Sequence, residues 1–257
     1  MKLTLAHINS LFVNADRFLL SRVGNVELSA ICEDKITKEM KQNAGFYGSE
    51  EDFKEWKVKY VKALMDSDCV ACVYSCSSFT KLEAELYMSL NIWKPNIPYM
   101  EDDMSYWLNL LDELPKVGIV SYFAKDMERQ VKHLDKIHNR KISTEFEFVS
   151  SLNTIEGNIP DKDYFSVLED LKNECLKKKD IKYWFLSCGS YGLLLGNELK
   201  NEGKNVYYVG GFLQMIFGLK GKRWDARPIN NLYNKWWKYP SIKPINGDKV
   251  ENWCYGA

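Results

Sequence analysis

The sequence lacks an excess of charge of either sign, since 35 Lys and Arg residues balance 35 Asp and Glu residues among 257. Bulk charge therefore gives no support for a nucleic-acid partner. No apolar run reaches the roughly 18–20 residues of a membrane-spanning helix. The longest candidate, Tyr207–Leu219, is shorter and contains Gln214. The N-terminal stretch has no small-residue cleavage site, so we also expect no signal peptide.

Histidine is scarce, and cysteine is not arranged as a metal site. The three histidines form no recognisable ligand set or catalytic triad. Seven cysteines, an odd number, fit reduced thiols better than a disulfide framework. Cys69, Cys72 and Cys76 are closely spaced, but they lie in and just after a strand-like apolar run, where cysteine acts as a small hydrophobic residue. We expect a soluble cytoplasmic protein.

Apolar runs alternate with amphipathic stretches in the second half of the chain. The predicted order, with strands and helices alternating, is Val117–Phe123, Ala124–Ile137, Phe146–Val149, Tyr164–Lys178, a strand ending at Ser187, Leu193–Gly203 and Asn205–Val209. Such alternation predicts an α/β fold with a largely parallel sheet flanked by helices. Residues 1–115 would form an N-terminal half and residues 116–257 a nucleotide-binding half, together one compact unit. A long irregular segment rich in aromatic and basic residues begins at Lys220.

A glycine-rich turn joins one predicted strand to the next helix. It contains Ser187, Gly189, Ser190, Tyr191 and Gly192. Ligands bind at the carboxyl ends of parallel strands, and the N–H groups that begin a helix favour phosphate. The following strand ends in a second glycine pair, Gly210 and Gly211. The turn therefore predicts a phosphate site, although a purely structural crossover turn remains the alternative.

The hexad Arg22–Glu27 (RVGNVE) places two oxygen-bearing side chains at another strand end. Asn25 and Glu27 could both contact Mg²⁺ or Mn²⁺, which prefer oxygen ligands and often share them with substrate phosphates. In the alternative interpretation Asn25 caps a helix, Glu27 lies in its first turn, and Arg22 is on the surface.

A basic loop follows the second glycine pair. Lys220, Lys222 and Arg223 could neutralise a diphosphate leaving group as its charge develops. Trp224 could stack on a base or sugar, and Asp225 could orient Arg223 or accept a proton. A solvated charge run is the alternative. Further along, two adjacent tryptophans between lysines could bind acceptor sugar, touch a membrane surface or pack onto the domain.

The hexad, read as R-x-G-N-x-E, resembles the R-x-G-D/S-x-E signature of bacterial GT-D-type glycosyltransferases and related proteins of capsule and surface-polysaccharide clusters. Other segments are similar to that group in the same order along the chain. They are Asn43–Phe46, Ser121–Ala124, Thr154–Asn158, Ser187–Gly192, Gly210–Gly211, Phe217–Asp225 and Cys254–Gly256.

The resemblance implies a Rossmann-like transferase fold and a nucleotide-sugar donor, with a UDP-sugar favoured. We expect transfer to a glycan or lipid-linked glycan acceptor, and the tryptophan–lysine cluster could place the protein peripherally at the inner membrane face. Arg22, Gly24, Asn25 and Glu27 would contact the donor diphosphate and Mn²⁺ or Mg²⁺, and Glu27 and Asp225 are the catalytic candidates. Asn25 stands where better-known transferases carry aspartate, which weakens metal binding. A non-catalytic nucleotide- or glycan-binding subunit is the alternative function. A hydrolase is less favoured, because no nucleophile is recognisable.

Overall fold

The computed structural model describes residues 4–72, 84–89, 96–98, 103–155 and 158–241. Within these residues seven strands, all parallel, form one sheet in the spatial order β3-β2-β1-β7-β6-β4-β5. The strands are β1 (Phe18–Arg22), β2 (Cys69–Cys72), β3 (Asn96–Pro98), β4 (Lys116–Ser121), β5 (Glu145–Ser150), β6 (Tyr183–Ser187) and β7 (Asn205–Tyr208). The predicted parallel α/β fold is confirmed.

Helices cover both faces of the sheet. They span Leu5–Asn14, Asn25–Glu33, Lys38–Gln42, Glu50–Asp66, Met104–Asp112, Ala124–Val131, Leu134–His138, Tyr164–Lys177, Gly192–Asn201, Leu213–Ile216 and Lys222–Asp225, and residues 84–89 are also helical. Short 3₁₀ turns lie at Gly189–Tyr191, Gly210–Phe212 and Pro228–Leu232. The single helix predicted over 124–137 is two helices, because the His133 N–H donates to Gln130 O and tightens the chain before the second helix begins.

Side-chain caps fix the starts of several helices. Ser49 and Asp52 form a capping box at the start of Glu50–Asp66, and Asp163 caps Tyr164–Lys177 through the Ser166 N–H. Asp103 accepts a hydrogen bond from the Tyr106 N–H at 3.0 Å, which starts Met104–Asp112. Asp103 is the last of three consecutive acidic residues, of which the two at positions 101 and 102 lie outside the described residues.

The core has two parts, one on each face of the sheet. Neighbouring residues of a strand point to opposite faces, so Leu19 packs with Trp184 and Leu186 on one side while Leu20 packs with Phe185 on the other. All five side chains are fully buried. Burial on both faces is what an all-parallel sheet requires, and the result is a three-layer α/β/α arrangement.

The topology brings the two predicted halves of the chain into one sheet. β1 pairs with β7, with Leu19 opposite Val206, and the predicted boundary between residues 115 and 116 falls immediately before β4. The strands β2 and β3 lie on one side of β1, and the strands β4 to β7 lie on its other side, so the direction in which strands are added to the sheet reverses beside β1. Because every strand is parallel, all carboxyl ends lie at one edge of the sheet. Open α/β sheets bind ligands at such a reversal.

The segment that begins at Lys220 is irregular, as predicted, but it is packed down through residue 241. The Lys220 N–H donates to Lys238 O at 2.7 Å, and the Lys238 N–H donates to Gly218 O at 3.0 Å. Trp224 and Trp237 are buried in the core. Residues 242–257, including the Cys254–Gly256 segment, lie outside the described residues, as does Cys76. In the described part of the chain, none of the helices has the length and apolar character needed to traverse a bilayer.

Candidate functional site

A cavity of about 340 Å³ lies at the carboxyl edge of the sheet, and we call it the strand-end pocket. Five adjacent strands contribute to it, in the order β1, β7, β6, β4 and β5. The first lining residue from each is Arg22, Tyr208, Ser187, Ser121 and Ser151, which lie at the last strand position or directly after it. The pocket is therefore built from backbone positions that the sheet itself fixes.

Glu27 lies in this pocket, yet its side chain is only 4% exposed. The carboxylate folds back over Gly24, the N-cap of helix Asn25–Glu33, so closely that a Cβ at Gly24 would lie 2.0 Å from Glu27 Oε2. Burial raises the pKa of the Glu27 carboxyl above its ordinary value, although the charge of Arg22 acts in the opposite direction. Glu27 is therefore a stronger base than an exposed glutamate.

Arg22 is held by the neighbouring strand. Its guanidinium carbon lies 5.4 Å from the centre of the Tyr208 ring, and a Cβ at Gly210 would come within 2.7 Å of that carbon. The Tyr208 hydroxyl donates to Gly189 O at 3.0 Å, which links the ends of β7 and β6. Gly24 and Gly210 thus make room for the protein's own charged side chains, Glu27 and Arg22.

The glycine turn after β6 contributes only its first part to the pocket. Ser187 and Gly189 line it, whereas Ser190, Tyr191 and Gly192 do not. The Ser190 N–H donates to Ala44 O at 2.7 Å and the Tyr191 N–H donates to the residue-188 carbonyl, so these two groups are already used within the protein. The predicted phosphate contacts at Ser190–Gly192 therefore do not form part of the pocket.

Those three residues instead fix the shape of the turn. Ser190 Oγ accepts a hydrogen bond from Tyr164 at 3.0 Å, and the Tyr191 hydroxyl donates to Tyr47 at 3.1 Å. Gly192 packs so tightly that a Cβ there would meet the Tyr208 ring at 2.2 Å. Their partners are far away in sequence, which is why the sequence could not separate contact residues from supporting ones.

The basic loop sends two arginines, and no lysine, to the pocket. Arg223 and Arg227 both line it, while Lys222 is exposed and Lys220, whose Nζ lies 5.0 Å from the centre of the Tyr233 ring, does not line the pocket. Arg227 was not a candidate in the sequence. Its spacing of four residues from Arg223, one turn of helix, was the available signal.

Asp225, the second catalytic candidate, does not lie in the pocket lining. Its carboxylate accepts a hydrogen bond from the Tyr239 hydroxyl at 2.8 Å, and its backbone carbonyl accepts from the Asn230 side chain. Trp224, which could have stacked on a ligand, is fully buried in the core. Both residues therefore help to hold the basic loop in place, and neither lines the strand-end pocket.

The remaining wall of the pocket is uncharged and contains several polar side chains. They are Ser121 at the end of β4, Ser151, Asn153 and Thr154 after β5, and Asn43, which follows the helix Lys38–Gln42. None of these was a site candidate, although several lie in the segments that carry the family resemblance. The pocket therefore has a charged side, with Arg22, Glu27, Arg223 and Arg227, and a neutral side rich in hydroxyls and amides.

Few of the described side chains in the pocket could coordinate a metal ion. Among the described residues no group of three or more His, Cys, Asp or Glu side chains could hold a metal, and Glu27 is the single carboxylate among the described residues that line the pocket. Asn25 adds one neutral amide oxygen. Cys188 also lines the pocket, but burial raises the pKa of its thiol to about 12, so it is not a ready nucleophile.

No family model and no curated protein matches the sequence. The fold is similar to that of a glycosyltransferase from Streptococcus sanguinis that belongs to domain of unknown function 1792, with 14% identity, coverage of 83% of this chain and 84% of that chain, and a TM-score of 0.52. Two further structures of that domain, one described as having a distinct glycosyltransferase fold, match with TM-scores of 0.49 and 0.48 at 11% and 9% identity, over 80% of this chain and 79% of theirs. The first likeness shows a shared fold.

Proposed function

We propose that this protein is a glycosyltransferase that moves a sugar from a nucleotide-diphosphate donor to a glycan or lipid-linked glycan, in surface-polysaccharide or glycoprotein biosynthesis. The observation that carries the proposal is the strand-end pocket, in which one buried carboxylate, Glu27, shares a cavity with Arg22, Arg223 and Arg227. The fold shared with a glycosyltransferase supports it.

The charge of the pocket suits a diphosphate. Three guanidinium groups and one carboxylate give its described lining an excess of two positive charges. Guanidinium is planar and bonds phosphate oxygens in pairs, so arginine is well suited to hold a diphosphate. A volume of about 340 Å³ is within the range of small-ligand pockets. The sequence resemblance favours a UDP-sugar as the donor.

Glu27 is the group we assign to proton transfer. In the proposed step the acceptor hydroxyl oxygen bonds to the anomeric carbon of the sugar while the bond from that carbon to the diphosphate breaks. The hydroxyl proton passes to the Glu27 carboxylate, and the leaving diphosphate keeps the electron pair. A raised pKa makes the carboxylate a better proton acceptor, and a positioned base of this kind typically contributes about 10²- to 10⁴-fold to the rate.

The hydroxyl-rich side of the pocket is the proposed place for the sugar and acceptor. Ser121, Ser151, Asn153 and Thr154 offer neutral hydrogen-bond donors and acceptors, which match the hydroxyl groups of a glycan. The charged side would hold the diphosphate, so the scissile bond would lie between the two sides.

A peripheral membrane contact at the cytoplasmic face would bring the enzyme to a lipid-linked acceptor. Four exposed lysines, Lys132, Lys136, Lys235 and Lys238, lie close together in the fold, and Lys136 Nζ is 4.4 Å from the Trp236 ring. Each lysine near an anionic surface adds about 1 kcal/mol to binding. Sedimentation with phosphatidylcholine vesicles, with and without phosphatidylglycerol, tests this contact. Binding to the anionic vesicles that is lost when the four lysines become glutamine is expected, and equal recovery with both kinds of vesicle would contradict it.

The test of the proposed function is a calorimetric and thermal-shift screen of the full-length protein against nucleoside diphosphates and their sugars, followed by product analysis with the ones that bind. A ligand at about 100 times its dissociation constant stabilises the fold by roughly 2.7 kcal/mol, which is readily detected. We expect one base to bind and its sugar donor to be consumed. Binding of none of them would overturn the proposal.

The second candidate is a non-catalytic nucleotide- or glycan-binding subunit, which Asn25 favours because it replaces an acidic residue of the related motif. The Glu27→Gln variant separates the two. In an enzyme it keeps donor binding and loses turnover. The binding subunit would be favoured if the wild-type protein binds a donor without consuming it and Glu27→Gln binds that donor equally well.

A further inference from the structure

We infer that Arg223 and Arg227 neutralise the donor diphosphate in place of a divalent cation, so that this protein binds its donor without metal. The inference rests on the proposed function, since it concerns the same diphosphate. It departs from the expectation that Asn25 and Glu27 hold Mn²⁺ or Mg²⁺.

The residues of the strand-end pocket do not fit a hard divalent cation. Mn²⁺ and Mg²⁺ take several oxygen ligands, usually including charged carboxylates. The described lining offers one carboxylate, that of Glu27, whereas such an ion usually takes more than one. Asn25 supplies a neutral oxygen where a second charge would be needed. Arg22 is close enough to act on the Glu27 charge, and its own positive charge would repel a cation placed there.

The arginine pair supplies the missing charge. Arg223 and Arg227 carry two positive charges together, the charge of one Mn²⁺ ion, and both line the pocket that contains Glu27. Paired N–H bonds from guanidinium to phosphate are strong, charge-assisted hydrogen bonds. An arginine pair can therefore stabilise a departing diphosphate as a metal does.

The pair is also held in position before any ligand arrives. Trp224, next to Arg223, is 0% exposed and anchors this stretch in the core. The Arg227 N–H donates to Trp224 O at 3.0 Å, and the Asn230 side chain donates to the carbonyl of Asp225. A fixed backbone lowers the cost of ordering two long side chains around the diphosphate.

The chain offers a matched control for the experiment. Lys222 precedes Arg223 in the same short helix, carries the same charge, is exposed and does not line the pocket. Comparing Arg223→Ala, Arg227→Ala and Lys222→Ala therefore separates a specific contact from a general change of net charge. Arg223→Lys keeps the charge and removes the planar donor pair, so it should retain part of the binding.

The experiment is titration calorimetry of UDP, GDP, dTDP and CDP into the full-length protein, once with EDTA and once with Mn²⁺. We expect one nucleotide to bind with the same affinity in both solutions. Arg223→Ala and Arg227→Ala should each weaken it about 10- to 100-fold, as the loss of a charged hydrogen bond does, and Lys222→Ala should leave it nearly unchanged. The melting temperature of each variant confirms that it is folded.

Each other outcome overturns a stated claim. Binding that appears only with Mn²⁺ would overturn the metal-free inference and leave the proposed function standing. Equal weakening by Lys222→Ala and by the two arginine variants would refute the specific contact, as would unchanged binding in both arginine variants. Failure of all four nucleotides to bind in either solution would overturn the proposed function itself.

Discussion

Replacing Gly24 with alanine should remove most of the activity and little of the stability. The new Cβ would lie 2.0 Å from Glu27 Oε2, whereas real Cβ contacts are not found below 3.0 Å, so the carboxylate must move by about 1 Å or more. A displacement of that size at a reacting group can cost about 100-fold in rate, or roughly 2.7 kcal/mol of transition-state stabilisation. Donor binding should survive, because the variant leaves the arginines in place.

The cost to folding is small for identifiable reasons. The Gly24 backbone, with φ −73° and ψ 148°, suits alanine, and the atom in the way is the end of a flexible side chain. Alanine is a poorer N-cap residue by up to about 1 kcal/mol, and the loss of a glycine from the unfolded chain offsets part of that. The expected fall in melting temperature is then at most about 2–4 °C for a protein of this size.

The assay is release of nucleoside diphosphate from the sugar donor that the screen identifies, with kcat/KM compared among wild type, Gly24→Ala, Glu27→Gln and the double variant. If Gly24 acts only through Glu27, the alanine should cost nothing further once Glu27 is already glutamine. The reasoning is refuted if Gly24→Ala keeps more than about a third of the wild-type kcat/KM. It is also refuted if the double variant loses another 100-fold beyond Glu27→Gln.

Three further predictions concern stability and reactivity. Burial raises the pKa of Glu27 above 4.5, so the folded protein binds the carboxyl proton more tightly than the unfolded chain does. The contribution of this group to the free energy of unfolding therefore falls as the pH rises through the raised pKa. Glu27→Gln should therefore melt higher than wild type at about pH 8, with the gap closing towards pH 4.5, and a lower melting point at pH 8 would count against this account. Gly189 and Gly203 both have positive φ, but a Cβ at Gly189 would lie 2.4 Å from a backbone carbonyl whereas Gly203 has open space. Chemical denaturation should show Gly189→Ala to be clearly the more destabilising of the two, and equal effects would exclude the steric reason. Iodoacetamide should modify exposed Cys32 well before Cys188, whose thiol pKa is raised to about 12, and peptide mass mapping that found the reverse order would mean the pocket opens in solution.

The sequence was sufficient for the central strands of the sheet, because these are continuous apolar runs, but the three-residue strand β3 was not predicted. Buried strands such as the one ending at Ser187 must be apolar on both faces, and that composition is visible without a structure. The positions of Arg22 at a strand end and of Glu27 in the first turn of the next helix could also be predicted, since local sequence determines both.

The rest of the pocket depends on contacts between distant segments. Whether a turn N–H is available to phosphate depends on Ala44, which accepts from Ser190, and local sequence carries no sign of that bond. Likewise a run of basic residues does not reveal which of them faces the pocket. Burial of Trp224 settles that question, by turning Arg223 towards the cavity and leaving Lys222 in solvent.

The hydrogen bonds between Gly218, Lys220 and Lys238 have an evolutionary consequence. They join the two ends of the segment 220–238, which carries Arg223 and Arg227. This segment therefore begins and ends at nearly the same point of the domain. Its exposed positions could be exchanged together while the sheet, Glu27 and the buried side chains of Trp224, Ile229 and Trp237 stayed the same. We expect grafts between residues 220 and 238 that keep these three side chains to fold and to change which anionic group is accepted, and grafts that uniformly fail to fold would refute such modularity. The preference for one sugar donor could then change during evolution without a change at Glu27, which the transfer step requires.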